Sequence, residues 1–167
     1  MITNPSSTFQ QDLAALVPNL RAFARSLSGN ADKADDLVQE ALVKAWQNQS
    51  SFAEGSNLKA WVFTILRNAF LSERRKLKNE VEDADGTYAN GVATNGNQSD
   101  HMDMLDFSAA FQTLPPDQRE ALILVGAEGF SYEEAALMCG CAVGTMKSRV
   151  NRARQKLATL LSVDEVL

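Results

Sequence analysis

The C-terminal part of the chain carries polar and basic side chains at helical spacing, a pattern suited to binding nucleic acid. Side chains that can hydrogen-bond to base edges occupy positions i, i+3, i+4 and i+7: Ser148, Asn151, Arg152 and Gln155. Lysines and arginines that could neutralise phosphates flank them: Lys147, Arg149, Arg154 and Lys156. A solvated basic helix is the alternative interpretation of the same pattern.

An amphipathic helix must position these side chains, because apolar residues recur on its opposite side. The expected buried residues are Met146, Val150, Ala153, Leu157 and Leu161. Upstream, Ser131 and Glu134 form a capping box that begins a short helix ending near Met138. Residues 139–144 then make a turn, and Thr145 is expected to cap the last helix. Two helices joined by a short glycine-containing turn predict a helix-turn-helix.

Three further helical patterns fill residues 8–78. Pro18 should kink the first helix, Asp32 is the expected N-cap of the second, and the third runs from about Leu58 to Lys78. The apolar residues that recur at helical spacing are Phe9, Leu13, Leu16, Leu20, Phe23, Leu27, Ala34, Leu37, Val38, Ala41, Leu42, Ala45, Trp46, Val62, Ile65, Leu66, Ala69, Phe70 and Leu77. The chain is therefore expected to be all-α.

The outward faces of the second and third helices each have two interpretations. The second presents Asp36, Gln39, Glu40, Val43 and Gln47, which form either a solvated face or a protein-docking face. The third presents Thr64, Asn68, Leu71 and Arg75 and ends in Arg74, Arg75, Lys76 and Lys78. A basic helix end either compensates the helix dipole or contacts phosphates and bases.

Charge is distributed unevenly along the 167 residues, whose net charge is −5. Residues 1–78 carry +3, residues 79–106 carry seven acids and no base, and residues 107–167 carry −1. Residues 79–105 are also rich in Gly, Asn and Asp and have no apolar period, which predicts a solvated linker. The expected organisation is a first domain at 1–78, an acidic linker at 79–105 and a second domain at 106–167, where a helix spans Gln118 to Glu128.

The composition also excludes several classes of protein. The longest apolar runs, Ala60–Leu66 and Ala121–Ala127, are far shorter than a bilayer-spanning segment, and the first residues do not resemble a secretory signal. We therefore expect a cytoplasmic protein without membrane contact. The one histidine, His101, lies in the predicted linker, and no phosphate-binding loop or metal-ligand cluster occurs, so no catalytic site, cofactor or metal is expected. Cys139 and Cys141 are interpreted as packing residues rather than a redox switch or half of a zinc site.

Several motifs together resemble the extracytoplasmic-function sigma factors of bacterial RNA polymerase. They are Asp35–Trp46 (DDLVQEALVKAW), Trp61–Asn68 (WVFTILRN), Leu114–Pro116, Tyr132–Ala136 (YEEAA) and Gly144–Arg154 (GTMKSRVNRAR). The resemblance covers about Phe9 to Leu161 and includes both family domains in the same order. It is strongest to the group that directs the alphaproteobacterial general stress response.

The resemblance implies a role for each matching position. The face formed by Asp36, Gln39, Glu40 and Val43 would dock on core RNA polymerase. Positions in and after the loop at 51–57 would bind the −10 promoter element: Ser56, Asn57, Thr64, Asn68, Arg74, Arg75 and Lys76. The final helix would bind the −35 element through Thr145, Lys147, Ser148, Arg149, Asn151 and Arg152.

The resemblance also implies partners, namely core RNA polymerase, promoter DNA and a small helical anti-sigma protein of the NepR type. No small-molecule substrate is implied. The competing hypothesis is a sigma mimic that sequesters an anti-sigma protein and never binds DNA. Against it, the final helix keeps the basic residues that a mimic would not need.

Overall fold

The computed structural model describes residues 5–84 and 102–165, with side chains described at 8–81 and 106–162. The chain divides into two compact units, residues 1–93 and 94–167. Every described secondary-structure element is helical, which confirms the predicted all-α class. Most of the predicted linker, residues 85–101, and His101 within it lie outside the described residues.

The described part of the first unit, residues 5–84, contains four α-helices. They are α1 (Pro5–Ala15), α2 (Val17–Ser28), α3 (Ala31–Gln47) and α4 (Leu58–Ala84), with a short 3-10 turn at Gln49–Ser51. The kink expected at Pro18 is a break between α1 and α2, and Pro18 stands in the first turn of α2, where its missing N–H is harmless. Helix α4 continues six residues beyond the expected end at Lys78.

Asn30, rather than Asp32, caps the N-terminus of α3, so the predicted cap is wrong. The Asn30 Oδ1 atom accepts hydrogen bonds from the backbone N–H groups of Asp32, at 2.8 Å, and Lys33, at 3.2 Å. Asn30 has the extended backbone that a capping residue needs, whereas Asp32 is already helical. In the first turn, the Asp32 carboxylate still lies near the positive end of the helix dipole.

The core of the first unit joins α2, α3 and α4. Leu20, Leu37, Val62 and Leu66 are buried as the spacing predicts, and burial of each contributes about 1.5–3 kcal/mol. Phe63 was not among the expected core residues, yet it is fully buried and stacks on Phe23 with ring centroids 4.9 Å apart. Others of the expected set are only partly buried: Leu16, Leu27, Leu42, Ile65, Phe70 and Leu77.

The second unit contains α5 (Met102–Gln112), α6 (Pro116–Ala121), α7 (Tyr132–Cys139) and α8 (Val143–Glu165). Helix α6 starts two residues before the predicted Gln118 and passes into a π-helical turn at Leu122–Ala127, rather than continuing as α-helix to Glu128. The backbone N–H of Glu128 accordingly donates to Ile123 O, five residues back, at 2.9 Å.

The turn between α7 and α8 is short and contains a glycine, as predicted for a helix-turn-helix. The predicted capping box is confirmed, with Ser131 Oγ accepting from the Glu134 N–H at 3.0 Å. Gly140 ends α7 in the left-handed conformation, at φ 66°, which strongly favours glycine. Thr145 does not cap α8, because the helix has already begun at Val143; the Met146 N–H donates to Ala142 O instead.

The predicted apolar stripe of α8 forms much of the core of the second unit. Met146, Val150 and Ala153 are fully buried, and Leu157 is 7% exposed. Ala153 and Leu157 pack with Phe111 of α5 and Leu114 of the following turn. Leu161, the last expected member of the stripe, is only partly buried. Burial of this stripe turns the polar residues of α8 outward.

Candidate nucleic-acid and polymerase interfaces

Helix α8 brings most of the predicted −35 residues together on one exposed surface. Lys147, Ser148, Asn151 and Arg152 are all exposed, and the buried stripe of the same helix fixes which way they face. Thr145 is also exposed in the first turn, where its hydroxyl is not used as an N-cap. The structure therefore places hydroxyl, amide and cationic groups side by side, as base and phosphate contacts require.

Arg149 differs from its neighbours on α8, because its side chain is only 26% exposed. Its Nε atom lies 3.5 Å from Asp117 Oδ2, in the first turn of α6. Its Nη1 atom lies 3.8 Å from Cys141 Sγ, in the turn before α8. The predicted site residue thus has two partners from other elements, neither of which the sequence pattern identified.

Lys147 also has a partner outside α8. Its Nζ atom lies 5.7 Å from the centroid of the Tyr132 ring on α7, within the range of a cation–π interaction. The ammonium remains on an exposed residue and keeps its charge available to a phosphate. Helix α7 therefore helps to order the basic surface of α8.

Local hydrogen bonds organise the predicted −10 residues at the start of α4. Asn57 Oδ1 accepts from the Ala60 N–H at 3.2 Å, so Asn57 caps the helix. Ser56 Oγ donates to Ala53 O at 2.5 Å, and Thr64 Oγ1 donates to Ala60 O at 2.8 Å. Asn68 lies exposed one turn beyond Thr64. The sequence predicted these positions but not their local bonding.

The basic end of the predicted −10 surface lies further along α4. Arg74, Arg75 and Lys76 are all exposed, and the Arg74 guanidinium lies 5.7 Å from the centroid of the Phe70 ring. The three cations and Asn68 thus occupy one continuous helix. This arrangement allows one rigid element to contact bases and backbone together.

An aromatic cluster that the sequence pattern did not reveal anchors the α3–α4 loop, residues 51–57. Phe52 packs against Phe9 of α1 and Trp61 of α4, with ring centroids 6.1 and 5.3 Å apart. Phe9 also contacts Trp46, at 6.4 Å, and Trp61, at 6.3 Å. Trp46 was expected to be buried but is 42% exposed at the edge of this cluster. Gly55 turns the loop at φ 86°.

The outward face of α3 is exposed along its length. Asp36, Gln39, Glu40 and Val43 are exposed, and Val43 exposes 54% of its surface. Glu40 Oε1 and Lys44 Nζ form an i,i+4 ion pair at 2.9 Å. Val43 is therefore an exposed apolar residue in the middle of a polar face.

In residues 5–84 and 102–165, no group of three or more His, Cys, Asp or Glu side chains could hold a metal ion. No described helix is both long and apolar enough to cross a bilayer. Cys139 and Cys141 are partly buried thiols, and Cys139 Sγ donates to the buried Glu120 carboxylate at 2.9 Å.

Both units match families of known proteins. Residues 13–80 match Sigma-70 region 2, and residues 104–157 match Sigma-70, region 4. The chain is 62% identical over 159 residues to the ECF RNA polymerase sigma factor EcfG of Rhodopseudomonas palustris (strain TIE-1). That match covers 95% of this chain and 88% of that protein. The chain belongs to the ECF RNA polymerase sigma factor family.

More distant relatives and solved structures agree with this membership. The sigma factor is 33% identical over 145 residues to the ECF RNA polymerase sigma factor SigE of Mycolicibacterium smegmatis, covering 84% of this chain and 56% of that protein. Its structure is similar to that of the sigma factor RpoE in complex with the anti-sigma factor NepR from Bartonella quintana. That comparison has a TM-score of 0.83 and 57% identity, covering 94% of this chain and 98% of the other.

Each matched region of this sigma factor lies within one compact unit, region 2 in the first and region 4 in the second. Region 2 includes the exposed face of α3, the α3–α4 loop and the basic stretch of α4 up to residue 80. Region 4 includes the helix-turn-helix and also Asp117, the partner of Arg149. The family is one of transcription regulators.

Proposed function

We propose that this sigma factor binds core RNA polymerase and directs transcription from specific promoters, those of general stress response genes. The observation that carries the proposal is the presence of regions 2 and 4 in one chain, with an exposed polar and basic face on α8. In this proposal the polymerase catalyses RNA synthesis and the sigma factor contributes only promoter recognition. Both act in the cytoplasm.

Helix α8 is proposed to enter the major groove of the −35 element. Ser148, Asn151 and Arg152 lie where they can reach base edges, and Lys147 can neutralise a phosphate. Thr145, in the first turn, can approach the backbone or a thymine methyl group. Because the stripe of Met146 and Val150 is buried, docking needs no rearrangement of the helix.

The α3–α4 loop and α4 are proposed to bind the −10 element as a single strand. Unstacking a base costs a few kcal/mol, so contacts to the unstacked base must compensate for the lost stacking. The aromatic cluster around Phe52 supplies the rigidity, and the exposed Asn68 amide supplies hydrogen-bonding groups. Arg74, Arg75 and Lys76 are proposed to contact the phosphate backbone.

The outward face of α3 is proposed to dock on core RNA polymerase. Its carboxylates, Asp36 and Glu40, suit a basic partner surface, while Gln39 can hydrogen-bond and Val43 can be buried at the interface. Docking would orient the adjacent −10 surface, since α3 and α4 share one core.

An anti-sigma protein of the NepR type is proposed to inhibit by covering surfaces that the polymerase needs. The similarity to RpoE, which was solved with NepR, supports this part of the proposal. Val43 and Trp46 are apolar residues exposed at the region 2 surface, and Leu137 of α7 exposes 86% of its surface. Occupation of these residues by an inhibitor would exclude polymerase competitively.

Run-off transcription with core RNA polymerase tests the proposal directly. The expected result is a product from a promoter template that requires the sigma factor and disappears when the −10 or −35 segment is scrambled. Binding to a NepR-type protein should abolish that product. Tight binding to the inhibitor without any promoter-dependent transcript would instead identify the chain as a sigma mimic.

A further inference from the structure

Arg149 is the one predicted −35 residue that forms an ion pair within the described part of region 4. The Arg149 Nε–Asp117 Oδ2 distance is 3.5 Å, and the two side chains are 26% and 52% exposed. Cys141 Sγ lies on the other side, 3.8 Å from Nη1. The guanidinium is therefore bracketed by α6 and by the α7–α8 turn, rather than extending freely into solvent.

Asp117 is itself fixed in place. Its Oδ1 atom accepts a hydrogen bond from the backbone N–H of Gln118 at 2.9 Å, which leaves Oδ2 to face Arg149. The residue lies in the first turn of α6 directly after Pro115 and Pro116, where the proline rings restrict the backbone. A carboxylate held in this way presents a defined direction to its partner.

The contact geometry leaves part of the guanidinium for another ligand. An arginine that binds guanine uses two N–H groups in one plane, so the orientation of that plane decides whether both bonds form. Asp117 contacts the Nε atom of the Arg149 guanidinium, and Cys141 contacts its Nη1 atom. The remaining N–H groups are left for another ligand. Holding the plane before binding reduces the rotamer entropy that an unrestrained arginine would lose.

We propose that Asp117 is a positioning residue that sets base discrimination by Arg149, with Cys141 as a second, weaker support. The inference rests on the proposed function, in which α8 binds the −35 element. It goes further by assigning sequence specificity to an acidic residue outside the recognition helix. Since Asp117 and DNA are both negatively charged, attraction to phosphate cannot explain its contribution, which we assign to its contact with Arg149.

The experiment measures sequence preference rather than affinity alone. Holoenzyme assembled from core polymerase and the full chain is incubated with promoter duplexes randomised across the −35 segment, and the bound fraction is sequenced. We expect Arg149→Ala to flatten the preference at one or two adjacent base pairs. Asp117→Asn should flatten the same base pairs by about fivefold, while binding to scrambled duplex stays equal or becomes tighter because a negative charge is lost.

Glu133→Gln is the matched control, because it removes one carboxylate charge from an exposed position in the same unit without touching Arg149. It should leave every base preference unchanged. In an Arg149→Ala background, Asp117→Asn should have no further effect on preference. Cys141→Ala should reduce the same preference by a smaller factor, and Cys141→Ser should restore it in part.

Distinct outcomes overturn the inference. An unchanged −35 base preference in Asp117→Asn would exclude the positioning role. An equal loss of affinity for every duplex, together with a lower thermal unfolding midpoint of the protein, would exclude it too. If Arg149→Ala itself leaves −35 preference unchanged, the inference fails while promoter-dependent run-off transcription can still support the proposed function. Loss of run-off by the unaltered chain would instead overturn the proposed function.

Discussion

Residues of the same type on the same helix face different constraints in this sigma factor. Arg152 is exposed on α8, whereas Arg149, three residues earlier, is partly buried against Asp117. A freely exposed arginine adapts to its ligand at an entropic cost, but a bracketed one is already oriented. The two arginines should therefore contribute to −35 binding in different ways. The sequence pattern also separated them, but it assigned Arg152 to base edges and Arg149 to phosphates.

Substitution should separate the two promoter contacts. Arg152→Ala is expected to weaken binding to a −35 duplex segment by about 5- to 150-fold, the loss of one good base contact. Asn68→Ala should leave that binding intact and slow opening of the −10 segment, measured with a fluorescent base analogue in the promoter. Equal losses at both elements from either substitution would refute the assignment of roles.

Stability at the residue scale depends on an aromatic pair in the first unit. Phe63→Ala removes a fully buried ring that stacks on Phe23. We therefore expect the free energy of unfolding of the first unit to fall by about 3–5 kcal/mol. Urea denaturation followed by tryptophan fluorescence measures the change, since Trp46 and Trp61 both lie in that unit. Val43→Ala, at an exposed position, is the control and should change stability by less than about 0.5 kcal/mol.

At the scale of elements, the aromatic cluster connects α1 to the α3–α4 loop. Phe9 contacts Trp46, Phe52 and Trp61, so a helix near the N-terminus supports a loop between two later helices. The α3–α4 loop follows a 3-10 turn at Gln49–Ser51 and contains one backbone hydrogen bond, from the Ser56 N–H to Ala53 O at 3.1 Å, but no longer element. Its shape therefore depends on side-chain contacts, which makes it sensitive to substitutions that leave the helices intact.

Phe52→Ala tests whether the loop is positioned by this cluster. The substitution removes ring contacts to Phe9 and Trp61 and should reduce the rate of promoter opening about tenfold, because a misplaced site loses much of its function. Binding to a −35 duplex should not change. Phe107→Ala, the same truncation at a partly exposed ring in the second unit, is the control. Normal opening by Phe52→Ala would contradict the positioning role.

At the scale of the whole molecule, the distribution of charge opposes DNA binding by the free chain. Residues 79–106 contain seven acidic residues and no basic residue. The structure places Glu80, Glu82 and Asp83 in the last turns of α4, and Asp103 and Asp106 in α5. Part of the negative charge of the predicted linker therefore lies at the C-terminal end of α4 and in α5.

Replacing the seven acids of residues 79–106 by Ser or Gln should increase DNA affinity of the free chain and change abortive synthesis by the holoenzyme. Removing seven negative charges weakens repulsion of the duplex, most strongly at low salt. Fluorescence anisotropy across a salt series measures the first effect, and abortive-product yields measure the second. We expect the unaltered chain to bind promoter DNA well only together with polymerase. Unchanged values for the substituted chain in both assays would exclude a role for the acidic segment.

Local sequence was sufficient to predict α3, α4, α7 and α8, the capping box and most buried stripes. The apolar periods that predict α3 and α8 involve residues three or four apart, and the hydrogen bonds of a helix connect neighbours at the same spacing. The same local information failed at the caps of α3 and α8, where more than one residue was competent and backbone geometry selected Asn30 and an earlier start at Val143.

The sequence by itself therefore determined an all-α chain with two sigma regions and the helix faces that carry polar and basic groups. Tertiary structure decided which of those groups have partners. Asp117 meets Arg149, and Phe9 meets Phe52, across long stretches of chain. Periodicity cannot reveal such contacts, because they depend on how separate helices pack and on the directions in which their side chains leave the backbone.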